Sequence, residues 1–154
     1  MNRRQLVEFM RAQKWAVEAS VSSESTPQAA VIGVAVTDAL ELVFDTMGDT
    51  RKAKNLRANP RVAFVIGWDD GKTLQYEGVA DEPTGDELAR LKQAYFAKFP
   101  DGVEREGWDG ITYFRARPTW LRFSDFTKDA PEIREIDPST LDVDAEIVPQ
   151  LHGR

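Results

Sequence analysis

What most constrains this chain is a series of short apolar or alternating segments separated by links of only a few residues. Lys14–Ser22 alternates through Trp15, Val17, Ala19 and Val21, the period of a half-buried strand. The polar stretch Ser22–Pro27 turns the chain into Ala29–Val36, which is small, apolar and uncharged and predicts a strand buried on both faces. Thr37-Asp38 turns it again into Leu40–Thr46. Arg61–Trp68, the turn Asp69-Asp70-Gly71, Thr73–Asp81 and the aromatic-rich Ile111–Phe126, interrupted at Arg117-Pro118, continue the pattern. Consecutive strands with short links pair antiparallel by default. Some six strands against three helix candidates predict a mainly β fold, a β-barrel with flanking helices, because closure removes exposed edges.

The helix candidates carry their own signals. Asn2–Ala12 places Leu6, Phe9 and Met10 at amphipathic spacing. Asp49 or Thr50 can cap a helix over Arg51–Ala58, and Asn59-Pro60 stops it, because proline disfavours helical geometry at the residue before it. Thr84–Phe99 has Leu88, Leu91, Ala94, Tyr95 and Phe99 along one side and ends at Pro100-Asp101-Gly102.

Bulk properties narrow the function classes. At 154 residues the chain is one domain's worth of sequence. It contains no cysteine, hence no disulfide framework and no thiolate metal site. No apolar run approaches the ~20 residues of a membrane span, and Met1–Gln13 lacks the apolar core of a signal peptide. The expected location is the cytoplasm. The net charge of −6 is uneven: residues 129–154 hold seven acids and two bases, whereas residues 1–128 hold nineteen and eighteen. This divides the chain into a nearly neutral body, 1–128, and an acidic C-terminal arm, 129–154, expected to be extended or partly disordered. Within the body, residues 50–68 contain Arg51, Lys52, Lys54, Arg57 and Arg61 and no acid. A short basic segment on an acidic protein suits a small anionic ligand better than a nucleic acid.

The chemistry-bearing segment is Phe44 to Lys52, which leaves a strand, passes a turn and enters a helix through Thr50, Arg51 and Lys52. A helix start offers unpaired N–H groups and a positive dipole end. Two hydroxyls and two cations placed there make an anion cup; a capped helix with a solvated basic face has the same composition, and the residues alone leave both open.

Resemblance adds to this. Asp45-Thr46, Thr50-Arg51-Lys52, Ala53, Leu56, Asn59-Pro60 and Trp68 follow, without gaps, the order of the flavin-phosphate region of the pyridoxamine 5′-phosphate oxidase-like family. Gln75-Tyr76-Glu77-Gly78 and Arg117-Pro118-Thr119-Trp120-Leu121-Arg122-Phe123 resemble two further strands of its shorter members, so the similarity spans roughly residues 5–126. The resemblance implies a six-stranded antiparallel split barrel of the FMN-binding type, a homodimer with flavin between the subunits, and flavin-dependent oxidoreductase chemistry on a small-molecule substrate. It implies that Thr46, Thr50, Arg51 and Lys52 hold the FMN phosphate and ribityl chain, with Asp45 lining the same cofactor-binding site. Val31, Ile32, Gly33 and Val34 would run beside the ring, with Gly33 permitting close approach, and Gln75 and Trp120 would touch it. No metal site is expected.

Departures from the family pattern limit the activity. Asp45 replaces an aromatic and brings a carboxylate near an anion. Phe99 and Val103 stand where true oxidases place the arginine and serine that grip the vitamin's phosphate. A phenyl ring cannot replace a guanidinium. His152 is the chain's single histidine, and the oxidase's C-terminal Arg-x-His has no counterpart. The chain thus resembles a short member that is not a pyridoxamine phosphate oxidase. Related barrels hold deazaflavin or heme, or bind flavin without catalysis. Deazaflavin would suit the basic Lys54–Arg61 segment, while heme lacks its usual axial histidine in the body.

Overall fold

The computed structural model describes residues 1–140. The chain opens with α1 (Arg3–Ala12), capped by Asn2, whose side chain accepts the Gln5 amide at 3.0 Å while the Gln5 side chain accepts the Asn2 amide at 2.8 Å. The strands β1 (Trp15–Val21), β2 (Pro27–Gly33), β3 (Ala35–Val36) and β4 (Leu42–Met47) follow, then α2 (Arg51–Ala58). Next come β5 (Arg61–Ile66), β6 (Lys72–Asp81), α3 (Gly85–Lys98) and the short α4 (Gly102–Arg105). The fifteen-residue β7 (Ile111–Asp125) and β8 (Glu132–Ile136) complete the sheet.

Every strand pairing is antiparallel, in the order β2-β1-β5-β6-β7-β4-β3. The two ends of that order, β2 and β3, are separated in sequence by Val34 alone. A sheet whose first and last strands are that close in the chain has to roll up, which makes this a curled, split-barrel architecture. Its interior is filled by Leu42, Phe44, Phe64, Tyr76, Phe114 and Leu121. Phe44 stacks on Phe114 at 5.7 Å and meets Phe64 edge-on at 6.1 Å. A second cluster, Ala35, Val43, Leu91, Tyr95, Phe99 and Tyr113, fixes α3 against β3 and β4.

Four features differ from the sequence expectation. Among the described residues there are eight strands rather than six. The segment Ala29–Val36 is not one strand buried on both faces: it breaks at Val34, and β2 has an exposed face on which Val31 is 63% accessible. Strand β1 is inverted relative to its apolar pattern. Ala16, Glu18 and Ser20 point inward and are buried, while Trp15, Val17, Ala19 and Val21 lie on the outer face. Strand β7 continues through Pro118 as one strand, and the irregularity beside it is a bulge: Glu77 pairs with Trp120 and Gly78 with Pro118, which leaves Thr119 of β7 as the extra residue.

The arm contributes to the sheet. β8 pairs with β7, from Leu121 opposite Ile136 to Asp125 opposite Glu132, and Ile136 is buried in the barrel core. The rest of the arm, from residue 141 and including His152, lies outside the described residues.

Candidate functional site

The cup forms where β4 hands the chain to α2. Thr46 points to the barrel side of β4, and its Oγ1 lies 3.0 Å from Thr50 Oγ1. Thr50 is the N-cap: its hydroxyl accepts the Ala53 amide at 3.3 Å and donates to the Met47 carbonyl at 3.0 Å. The amides of Arg51 and Lys52, at the first turn, have no intrahelical acceptor, and no acid occupies that turn. Arg51 is exposed, and Lys52 is half-buried. The turn is held from both sides. Arg57 Nη1 donates to the Gly48 carbonyl at 2.7 Å while the same guanidinium grips Glu82 at 2.8 and 3.0 Å, and the Gly48 amide donates to the Gly110 carbonyl at 2.8 Å. Arg57 therefore braces the cup rather than offering a free cation, and its partner Glu82 is too distant in sequence to have been read from local pattern.

Asp45 does not join this arrangement. Side chains alternate along a strand, and its carboxylate leaves the opposite face of β4 from Thr46. There it accepts from Tyr95 Oη at 2.8 Å and from Arg105 Nε at 2.9 Å, and Arg105 also donates to Tyr95 Oη at 3.0 Å. Burial, followed by the Asp45 carboxylate, pushes the Tyr95 phenol well above its usual range. The expected repulsion between Asp45 and an anion in the cup is thus removed by geometry, and Arg105 balances the charge in place of Arg51 or Lys52.

The segment Val31–Val34 divides in the same way. Val31 is on the outer face, Ile32 packs against the core, and Val34 is fully inside it. The close approach that Gly33 permits is to Phe99: a Cβ on residue 33 would stand 2.6 Å from Phe99 Cζ. Gln75 and Trp120 are brought together. Both line a cleft of about 160 Å³ on the outer sheet face, with Val17, Ala19, Ala63 and Glu77. The Trp120 indole donates to the Glu135 carboxylate of β8. A larger cleft of about 440 Å³ lies beside it, bordered by Val21, Pro27, Arg61, Val79 and Thr119.

One polar group sits inside the barrel wall without a partner. Glu18 is fully buried, and neither carboxylate oxygen has a hydrogen-bond partner. Burial pushes its carboxyl above the usual range, opposed by the Lys52 ammonium and the nearby Ser20 hydroxyl. Its place among the apolar residues of β1 read as the solvent side of a half-buried strand, so the sequence carried no warning of it.

Residues 3–125 match the family model described as pyridoxamine 5′-phosphate oxidase. The chain belongs to the pyridoxamine 5′-phosphate oxidase family. A curated relative, the pyridoxine/pyridoxamine 5′-phosphate oxidase of Bordetella avium, is 31% identical over 91 residues, which cover 58% of this chain and 41% of that protein. The matched region is thus under half the length of that relative. Among solved structures, a heme binding protein from Mycobacterium smegmatis superposes with a TM-score of 0.76 at 16% identity, covering 90% of this chain and 59% of that one. A pyridoxamine 5′-phosphate oxidase-related, FMN binding protein from Nostoc punctiforme superposes with a TM-score of 0.64 at 13% identity, covering 88% and 84%. At these identities the two likenesses establish the split-barrel fold. Within this family member, Phe99 fills the pocket between α3 and Gly33 as a core residue, and Val103 is exposed on α4.

Proposed function

We propose that this chain binds FMN through the Thr46–Lys52 cup, acts as a homodimer in the cytoplasm, and serves as a flavin-dependent oxidoreductase on a small molecule other than pyridoxamine phosphate. The observation that carries the reading is the pair of threonine hydroxyls 3.0 Å apart at the start of a helix whose first turn holds Arg51 and Lys52 and no acid. A phosphate monoester suits that donor set: free amides at the first turn, hydroxyls beside them, and two cations. Bound there, FMN would supply a ring that accepts and passes on a hydride. Thr46, Thr50, Arg51 and Lys52 would hold its phosphate end.

The homodimer rests on the inverted strand. Trp15, Val31, Val65 and Val79 form an exposed apolar surface on the outside of the sheet, which a second copy would cover. Gln75 and Trp120 share a cleft on that same face, where the flavin between subunits would meet them. Val31, Gly33 and their neighbours would then contribute as wall and scaffold.

Heme is the second reading, favoured by the fold likeness to the mycobacterial heme binding protein. Against it, no histidine occurs among the described residues. The long acidic tail of a deazaflavin would find Lys54 and Arg61 exposed, but Arg57 already engaged by Glu82 and Gly48.

The test is a titration of the purified chain with FMN, followed by stopped-flow reduction with NADH or NADPH and by size-exclusion chromatography. Saturation at one FMN per chain, a dimer, and flavin bleaching by a nicotinamide support the reading. Binding without reduction by any donor makes the chain a flavin carrier. A Soret band on adding heme, with no flavin uptake, overturns it.

A further inference from the structure

A second cationic cleft lies away from the cup, where α1, β3 and α3 meet. It measures about 280 Å³ and is lined by Arg11, Ala35, Val36, Ala94, Ala97 and Lys98, with no acid among them. Backbone carbonyls hold both cations in place. Lys98 Nζ donates to the carbonyl of Gln13, the C-cap of α1, and at 2.8 Å to that of Val34. Arg11 donates to the Val36 carbonyl through Nε at 3.1 Å and Nη2 at 2.9 Å, and Nη2 also reaches Asp38 at 3.0 Å. Asp38 stands on the solvent side of that pair, its side chain 91% accessible.

The bonds to backbone and to Asp38 do not exhaust either head. An ammonium carries three N–H groups and a guanidinium five, so one remains on Lys98 and two remain on Nη1 of Arg11. Val34 and Val36, the two acceptors, are two residues apart, so the heads are moored at points no more than about 7 Å apart along the chain. An oxyanion with a charge-assisted bond of about 2.8 Å at either end bridges a gap of that order. Burial, and after it the Arg11 guanidinium, brings the Lys98 ammonium down to about 8, so it keeps its charge at neutral pH. A bare oxyanion takes the room of about two waters, at ~30 Å³ each, a small part of the cleft. The remainder is walled by Val36 and the alanines, which suit hydrocarbon.

We propose that this cleft binds a small carboxylic acid, its carboxylate between Lys98 and Arg11 and its short hydrocarbon body on Ala94, Ala97 and Val36. The site is independent of flavin at the cup, which lies at the start of α2.

The experiment is a titration of the isotope-labelled full chain with butyrate, read through backbone amide shifts, beside acetate, butyramide and inorganic phosphate. Butyrate gives saturable shifts at residues 34–36 and 94–98, binds more tightly than acetate or phosphate, and its neutral amide gives none. Ala94→Leu fills the cleft without touching either cation and abolishes the shifts. Lys98→Met removes one charge-assisted bond and weakens butyrate by about tenfold or more; if that variant does not fold, Ala94→Leu decides. Equal shifts with butyramide, phosphate or acetate binding as tightly as butyrate, undiminished binding to Ala94→Leu, or no shifts at these amides would overturn the inference. Each of those results leaves the flavin reading standing.

Discussion

Gly33→Ala separates two explanations of one glycine. The residue was expected to let a flavin ring approach the backbone, whereas the structure packs Phe99 against it. An alanine Cβ would stand 2.6 Å from Phe99 Cζ and 2.9 Å from Cε1, against roughly 3.5–4.0 Å for a comfortable carbon contact. The ring has to retreat by about 1 Å. It has little room to do so: Phe99 is 8% accessible and its ring centre lies 5.1 Å from that of Tyr95. Overpacking of this kind costs about 1–3 kcal/mol. For a chain of this size, that is a Tm lower by roughly 2–12 °C. Thermal and urea denaturation measure it directly. Phe99→Leu should relieve the clash, so the double variant recovers part of the loss, with a coupling of about 0.5–3 kcal/mol. If Gly33→Ala keeps wild-type stability and loses FMN affinity instead, the glycine serves the ligand and the packing explanation is wrong.

Two other substitutions check the site and the core. The Tyr76 hydroxyl, fully buried, lies 3.0 Å from the carbonyl oxygens of both Leu40 and Ala116 and has one proton to share between them, so Tyr76→Phe removes the donor facing these acceptors and should cost about 1–3 kcal/mol in chemical denaturation. A neutral result would mean water replaces the phenol. Asp45→Asn should lower stability by about 1–3 kcal/mol through the weakened bond to Arg105 while leaving FMN affinity unchanged. A large loss of affinity would return the Asp45 side chain to the cup.

Local signals were legible and long-range ones were not. The limits of α2 follow from Thr50 and Asn59-Pro60, which act within a few residues, and the structure places the helix at the expected Arg51–Ala58. The family resemblance rested on the same segment and is upheld by the match over residues 3–125. The break between β2 and β3 escaped because it accompanies the packing of Phe99, more than sixty residues away, against Gly33. Asp45 looked like a neighbour of the anion because Thr46 is next to it in sequence. The alternation of β4 and the arrival of Arg105 decide otherwise. Alternation in β1 was read correctly as a strand, but pattern alone does not say which face turns inward. Here the polar face does, burying Glu18 and Ser20 and leaving Trp15 and Val17 outside. β8 was hidden by its charges: Glu132 and Arg134 pair with each other, Glu132 also with Lys128, and Glu135 accepts from Trp120. An edge strand stabilised by such pairs has none of the apolar pattern that announces a central one.

The proposed flavin binding depends on the anion cup, and FMN titration of the wild type beside the double variant Arg51→Ala, Lys52→Ala tests it most directly. Two charge-assisted hydrogen bonds at ~1.5 kcal/mol or more each correspond to a loss on the order of a hundredfold in affinity. Neither side chain belongs to the core, so the melting transition should be retained. Equal FMN affinity in the two proteins, with the fold intact, would mean that the phosphate is held elsewhere.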